Sequence, residues 1–177
     1  VELDGTALAR RVADALVDAG AARVIAVGGD APALGRLGLD VVPDQHPGEG
    51  PLGGVLSALD ALPGFALVAV LACDLLRPSP ATIRSLADHA RGADADVAVP
   101  AVDGRPQFHH AVWRPRAAPV LRAAFDAGER ALRRAASSLQ VAVVEGLDPA
   151  TLEDVDDPAA LDEARRRSAG QQRPPGG

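Results

Sequence analysis

The sequence predicts an α/β domain, a Rossmann-like three-layer α/β/α arrangement around a mostly parallel sheet. Short apolar runs of strand length alternate with amphipathic helical stretches along most of the chain. Residues 66–72 (A-L-V-A-V-L-A) are apolar on both faces, as a central parallel strand must be. The 177 residues, 47% of them apolar, suffice for one domain with a sizeable core.

Each element follows from its pattern. Residues 7–19 place Leu8, Val12, Ala15, Leu16 and Ala19 on one helical face and Arg10, Arg11, Asp14 and Asp18 elsewhere, with Gly20 as the stop. Residues 23–27 and 39–42 are strands, ending at Gly28-Gly29 and Pro43. Residues 54–62 form a helix stopped by Pro63-Gly64. After the strand at 66–72, Ser79 caps a helix over 80–90 with Pro80 in its first turn. Strands follow at 97–101 and 109–113, a helix at 116–127 ending near Gly128, and a strand at 141–144. A last helix spans 158–167, capped by Asp156 or Asp157 with Pro158 at its first position. Residues 168–177 are Gly, Pro, Gln and Arg with little else, a predicted disordered tail, which leaves 1–167 as the domain. Doubly wound domains normally open on a strand, whereas this sequence reaches a helix within a few residues. Either the sheet begins unusually, or its first strand and loop are absent from this sequence.

Composition excludes several classes. The net charge of −6, with both signs interspersed, argues against a nucleic-acid groove. The longest apolar run, 65–73, is half of what a membrane helix needs, about 18 residues. The acidic start lacks the features of a secretory signal, so a cytoplasmic protein is expected. Cys73, the single cysteine, makes no internal disulfide and no thiolate zinc cluster, and reads as a small buried hydrophobe. Gly-x-Ser-x-Gly, His-Glu-x-x-His and Walker loops do not occur.

In parallel α/β sheets ligands bind beyond the carboxyl ends of the strands. The segment Pro47-Gly48-Glu49-Gly50-Pro51-Leu52-Gly53-Gly54 follows a strand carrying Asp44 and precedes a helix. Its prolines fix φ and its glycines admit close approach, so it reads as a shaped ligand loop or as a plain turn-rich connection. Asp74 ends the most apolar strand. A carboxylate there is costly to desolvate unless it is paired or meets a cation, which suits Mg²⁺; the alternative is a cap on the following turn. Gly104-Arg105-Pro106-Gln107-Phe108-His109-His110 reads as a hairpin or a substrate-contacting strand, because adjacent strand histidines face opposite ways and do not share one metal.

Together with Asp4-Gly5-Thr6-Ala7-Leu8, Cys73-Asp74 with Pro78, Ala127-Gly128-Glu129-Arg130 and Asp154-Val155-Asp156-Asp157-Pro158, these segments resemble the molybdenum cofactor guanylyltransferases and related nucleotidyltransferases. The resemblance implies Mg²⁺-dependent transfer of GMP from GTP to molybdopterin with release of pyrophosphate. It implies that Asp74 is the catalytic, metal-holding carboxylate. It places Asp44, Pro47, Gly48, Gly50, Pro51, Leu52 and Gly53 at the nucleotide, and Arg105, Gln107, His109, Asp154 and Asp156 on the pterin side, where many relatives carry Asn for the last two. Molybdenum-cofactor insertion proteins are the implied protein partners. The family opens with a strand, a Gly-Gly-x-x-x-Arg-Met-Gly loop and an Asp-Lys pair that this sequence does not contain, and it has no Lys elsewhere. A CTP-dependent or sugar-phosphate nucleotidyltransferase, or a degenerate domain that binds a nucleotide or a partner, are the alternative readings.

Overall fold

The computed structural model describes residues 1–155, 161–163 and 165–166. The chain opens on an antiparallel hairpin, β1 (Glu2–Leu3) and β2 (Thr6–Ala7), followed by α1 (Leu8–Asp18), which buries Leu8, Val12, Ala13 and Ala15. Next come β3 (Ile25–Val27), α2 (Ala31–Arg36) and β4 (Asp40–Val42), with Asp30 capping α2 by accepting from Ala33 N at 2.9 Å. The remaining elements are α3 (Pro51–Ala61), β5 (Val68–Val70), α4 (Pro80–Gly92), β6 (Val97–Val102), β7 (Arg105–Pro106), β8 (Ala111–Trp113), α5 (Ala118–Asp126), α6 (Leu132–Ala135) and β9 (Val141–Val144). Short 3-10 turns stand at Pro115–Ala117 and Pro149–Leu152. The expected cap at Asp156 or Asp157, the start of the last expected helix and the expected tail lie outside the described residues; 161–163 and 165–166 are helical.

The fold is α/β, but the strand pairing corrects the expectation of a mostly parallel sheet. Among the described residues only β3–β4 and β6–β9 pair in parallel; β1–β2, β5–β8, β6–β7 and β6–β8 are antiparallel. Residues 103–110 connect β6 to β8, too short for the dozen or so residues of a parallel crossover, so β8 returns antiparallel and inserts between β5 and β6. Because β8 opposes both neighbours, β5, β6 and β9 still share one direction.

Period-two alternation along β6 and β8 builds both sides of the core. Val97, Val99, Ala111 and Trp113 pack toward α3, α5 and α6. Ala98 and Val112 face the other way, under Leu86 and Ala90 of α4. No helix among the described residues is long and apolar enough to cross a membrane.

A cavity of about 770 Å³ separates β3 from β5, lined by apolar side chains that include Val12, Leu16, Ala58 and Ala87. Among the described residues β3 pairs only with β4 and β5 only with β8, so each turns an open edge to this space. This overturns the central-strand expectation for 66–72. β5 is a sheet-edge strand, half-buried at Ala69 and Val70. Cys73, expected to be buried, is exposed for the same reason.

Candidate functional site

The loops at the strand ends converge on the mouth of this cavity, where Gly28, Gly29, Asp44, Pro51, Cys73 and His109 all line it. Gly28 stands at φ 68°, and a Cβ added there would meet Asp44 Cβ at 3.0 Å, so the β3 turn packs directly on the Asp44 side chain. Asp44 Oδ1 accepts from His46 N and from the Ser57 hydroxyl, both at 2.9 Å, and Ser57 Oγ in turn accepts from Gln45 N at 3.0 Å. One carboxylate oxygen thus fixes the entry of the 47–54 loop to α3, while no hydrogen bond to the other occurs among the described residues.

The loop is rigid for reasons the sequence only half disclosed. Gly50 adopts φ 82°, a left-handed conformation that glycine tolerates, and ends the loop as the residue preceding α3, with Pro51 at the first helical position. α3 therefore starts at Pro51, three residues before the expected 54. Leu52 is fully buried in the core, so its side chain anchors the loop from beneath. Pro47 and Gly48 form the exposed tip.

From the other side, the Arg130 guanidinium clamps the loop. Its Nε donates to Glu49 Oε2 at 2.6 Å, and its charge lies 4.0 Å from the centre of the Phe125 ring. The His46 ring packs on the same Phe125 at 4.5 Å. Glu129 holds this segment by accepting from Arg130 N and Ala131 N at 2.8 Å and from Arg134 Nε at 2.6 Å. Sequence reading chose the Gly-Glu-Arg motif only by resemblance and missed His46, Glu49 and Phe125 as its partners.

The Arg134 guanidinium, then the two backbone donors, hold the Glu129 carboxyl down to about 2. Its folded value lies below the ordinary 4.5, so its contribution to stability is present above pH 4.5 and is lost as pH falls toward 2. A carbon-detected NMR titration should find the Glu129 midpoint near 2, and Arg134→Ala should move it back toward 4.5. A midpoint that ignores the substitution would contradict the pairing.

Asp74 follows the β5 strand end. Its main-chain oxygen accepts from Val155 N at 3.2 Å, and Leu76 N donates to Glu153 O at 2.9 Å, which draws 153–155 alongside as an antiparallel bridge between Leu75 and Asp154. No hydrogen bond to the Asp74 carboxylate occurs among the described residues, so that carboxylate is not occupied in capping its own turn. Partial desolvation first, and the Asp74 charge second, push the neighbouring Cys73 thiol above its ordinary value, which keeps it protonated and a poor nucleophile at neutral pH.

The residues assigned to the pterin side fall in two places. Gln107 and His109 line a second cavity of about 460 Å³ with Pro51, Arg130 and Arg133. Arg105 is exposed on β7 and lines neither cavity. Asp154 lies instead beside His110, whose Nε2 is 3.7 Å from Asp154 Oδ2. Asp156 lies outside the described residues. His110, the end of the Arg105–His110 segment that the resemblance sets toward the pterin, is buried just before β8, whereas His109 is exposed. Burial pushes the His110 imidazole below its ordinary value, against the opposing pull of Asp154. No group of three or more His, Cys, Asp or Glu suited to a metal occurs among the described residues. A magnesium site of one or two carboxylates completed by phosphate and water does not need one.

The chain is similar to known proteins in sequence and in fold. A probable molybdenum cofactor guanylyltransferase of Pelotomaculum thermopropionicum is 40% identical over 100 residues, 56% of this chain and 47% of that protein. Its counterpart in Chloroflexus aggregans is 37% identical over 119 residues, 66% of this chain and 56% of that protein. The chain thus spans about half the length of these curated relatives. Molybdopterin-guanine dinucleotide biosynthesis protein A of Archaeoglobus fulgidus superposes with a TM-score of 0.77 over 96% of this chain and 89% of its own, and at 22% identity it establishes the likeness of fold. Residues 1–143 match the MobA-like NTP transferase domain, and the chain belongs to that family.

Proposed function

We propose that this chain transfers GMP from GTP to the phosphate of molybdopterin. The observation that carries the reading is the Asp44 carboxylate, which lines the cavity mouth with Gly28, Gly29 and Pro51 and keeps one oxygen without a hydrogen bond among the described residues; Asp74 follows Cys73 of that lining but lines neither cavity itself. The names of the two curated relatives support the substrate pair.

An acceptor phosphate oxygen attacks the α-phosphorus of GTP in line, the bond from that phosphorus to the bridging oxygen breaks, and pyrophosphate leaves. Asp74 would hold Mg²⁺, which supplies neutralisation of the triphosphate charge when bound. Asp44 organises the nucleotide loop through His46 N and Ser57, leaving one oxygen for the nucleotide. Pro47, Gly48, Gly50, Pro51, Leu52 and Gly53 shape the pocket, and main-chain N–H groups at the start of α3 favour an anion. Gln107, His109 and Asp154 take the pterin side, with Arg105 and Asp156 assigned there by resemblance. The Rossmann-like three-layer description belongs with this reading: α3, α5 and α6 cover one sheet face and α4 the other. So do a cytoplasmic setting and hand-over of product to insertion proteins.

The test incubates the protein with α-labelled GTP, molybdopterin and Mg²⁺, with unlabelled CTP as competitor. Label should appear in a molybdopterin dinucleotide, and CTP should compete poorly. Labelled CMP incorporation in preference to GMP would reassign the base, and no incorporation of either would reject the transferase reading.

A further inference from the structure

We propose that His110 is a positioning residue that aims the Asp154 carboxylate at the acceptor. The proposal rests on the transferase reading above and adds to it a residue that the site residues so far do not include.

His110 is 3% exposed, and its Nδ1 is buried with no hydrogen-bond partner among the described residues. Leaving a buried polar nitrogen unpaired costs roughly 1–3 kcal/mol, a cost an apolar side chain at the same place avoids. Val112, two residues along in β8, is such a side chain. The imidazole therefore calls for a role other than filling space, and its other nitrogen supplies one. Nε2 lies 3.7 Å from Asp154 Oδ2. With the proton on Nε2, the ring aims a donor at that carboxylate and leaves Nδ1 as the lone pair.

Asp154 needs this restraint. The bonds from Leu76 N to Glu153 O and from Val155 N to Asp74 O fix the main chain on either side of it. They leave its side-chain torsions free; at 3.7 Å the His110 Nε2 approach is longer than a hydrogen bond, and no hydrogen bond to the carboxylate occurs among the described residues. Its side chain is 39% exposed, so it can meet a ligand while its neighbour His110 stays under it, at the register position just beyond the Val70–Ala111 pair. A carboxylate held this way accepts hydrogen bonds from N–H groups of the acceptor. The effect is orientation, as a buried second residue gives a ligand-contacting one.

Four proteins test this: wild type, His110→Phe, Asp154→Asn and the double variant, each with its melting curve. GTP affinity and acceptor KM are measured separately. His110→Phe and Asp154→Asn should each raise the acceptor KM about tenfold, the worth of one hydrogen bond made when the 3.7 Å approach closes on the bound acceptor. The double variant should be no worse than Asp154→Asn alone, because both act through one carboxylate. GTP affinity should stay within about twofold, and His110→Gln, whose amide nitrogen can reach the Nε2 position, should recover most of the loss. Independent effects that multiply to about a hundredfold, or an equal loss of GTP affinity, would show a merely structural His110 and overturn the proposal. If neither His110→Phe nor His110→Leu folds, the ¹⁵N resonance of His110 Nε2 in the folded Asp154→Asn protein decides: a shift supports the contact and none overturns it. A wild type that turns over while His110→Phe changes nothing removes only this proposal; a wild type that binds no acceptor removes the transferase reading with it.

Discussion

Asp74→Asn should slow nucleotidyl transfer about 10²–10³-fold, or ~3–4 kcal/mol in the barrier, with little change in melting temperature. The size follows from what the change removes. Asn keeps the shape and one acceptor oxygen but loses the charge that a divalent cation requires, and charge neutralisation is the main contribution a protein makes to phosphoryl-type chemistry. The lack of a stability effect follows from the geometry. Asp74 ties its surroundings together through its main-chain oxygen, which the substitution leaves bonded to Val155 N. Rates at saturating Mg²⁺, read beside a thermal melt, check both halves. A fall in stability comparable to the loss of rate would mean that Asp74 is a turn-forming residue after all.

Two adjacent glycines should part company. A Cβ at Gly53 would sit 2.7 Å from His46 Cβ and 3.2 Å from His46 O, and neither can move cheaply. His46 is fixed by Asp44 through its main-chain N–H and by Phe125 through its ring. Gly53→Ala should therefore cost ~1–3 kcal/mol, roughly 3–10 °C in melting temperature, and weaken nucleotide binding as the loop shifts. Gly54 has nothing within 4 Å of the same added atom, so Gly54→Ala, in a helix interior, should be neutral or stabilising by up to ~1 kcal/mol. Calorimetry of the two variants side by side checks the contrast, and equal melting temperatures would refute it.

Local pattern disclosed most of the elements because their signals lie within a few residues. The 3.6-residue period of α1, the Ser79-Pro80 start of α4 and the apolar run of β9 all appear where they were expected. Strand direction was less legible, since it depends on the length of the 103–110 connection and on which neighbour β8 finds. The short elements α2, α6 and β7 carry too few residues for any period to show. At the site, the Gly/Pro loop and Asp74 could be picked out because their residue types are unusual at those places. The Glu49–Arg130 clamp joins residues 81 apart in sequence, and the His110–Asp154 pair joins two loops, so neither leaves a mark in any local window.

The space between β3 and β5 carries a consequence for handling the protein. Ile25 to Val27 on one bank and Val68 to Val70 on the other expose main-chain donors and acceptors to a greasy trench. Such a seam is sticky by construction, because any extended segment that enters it can knit hydrogen bonds on both flanks while covering oily surface.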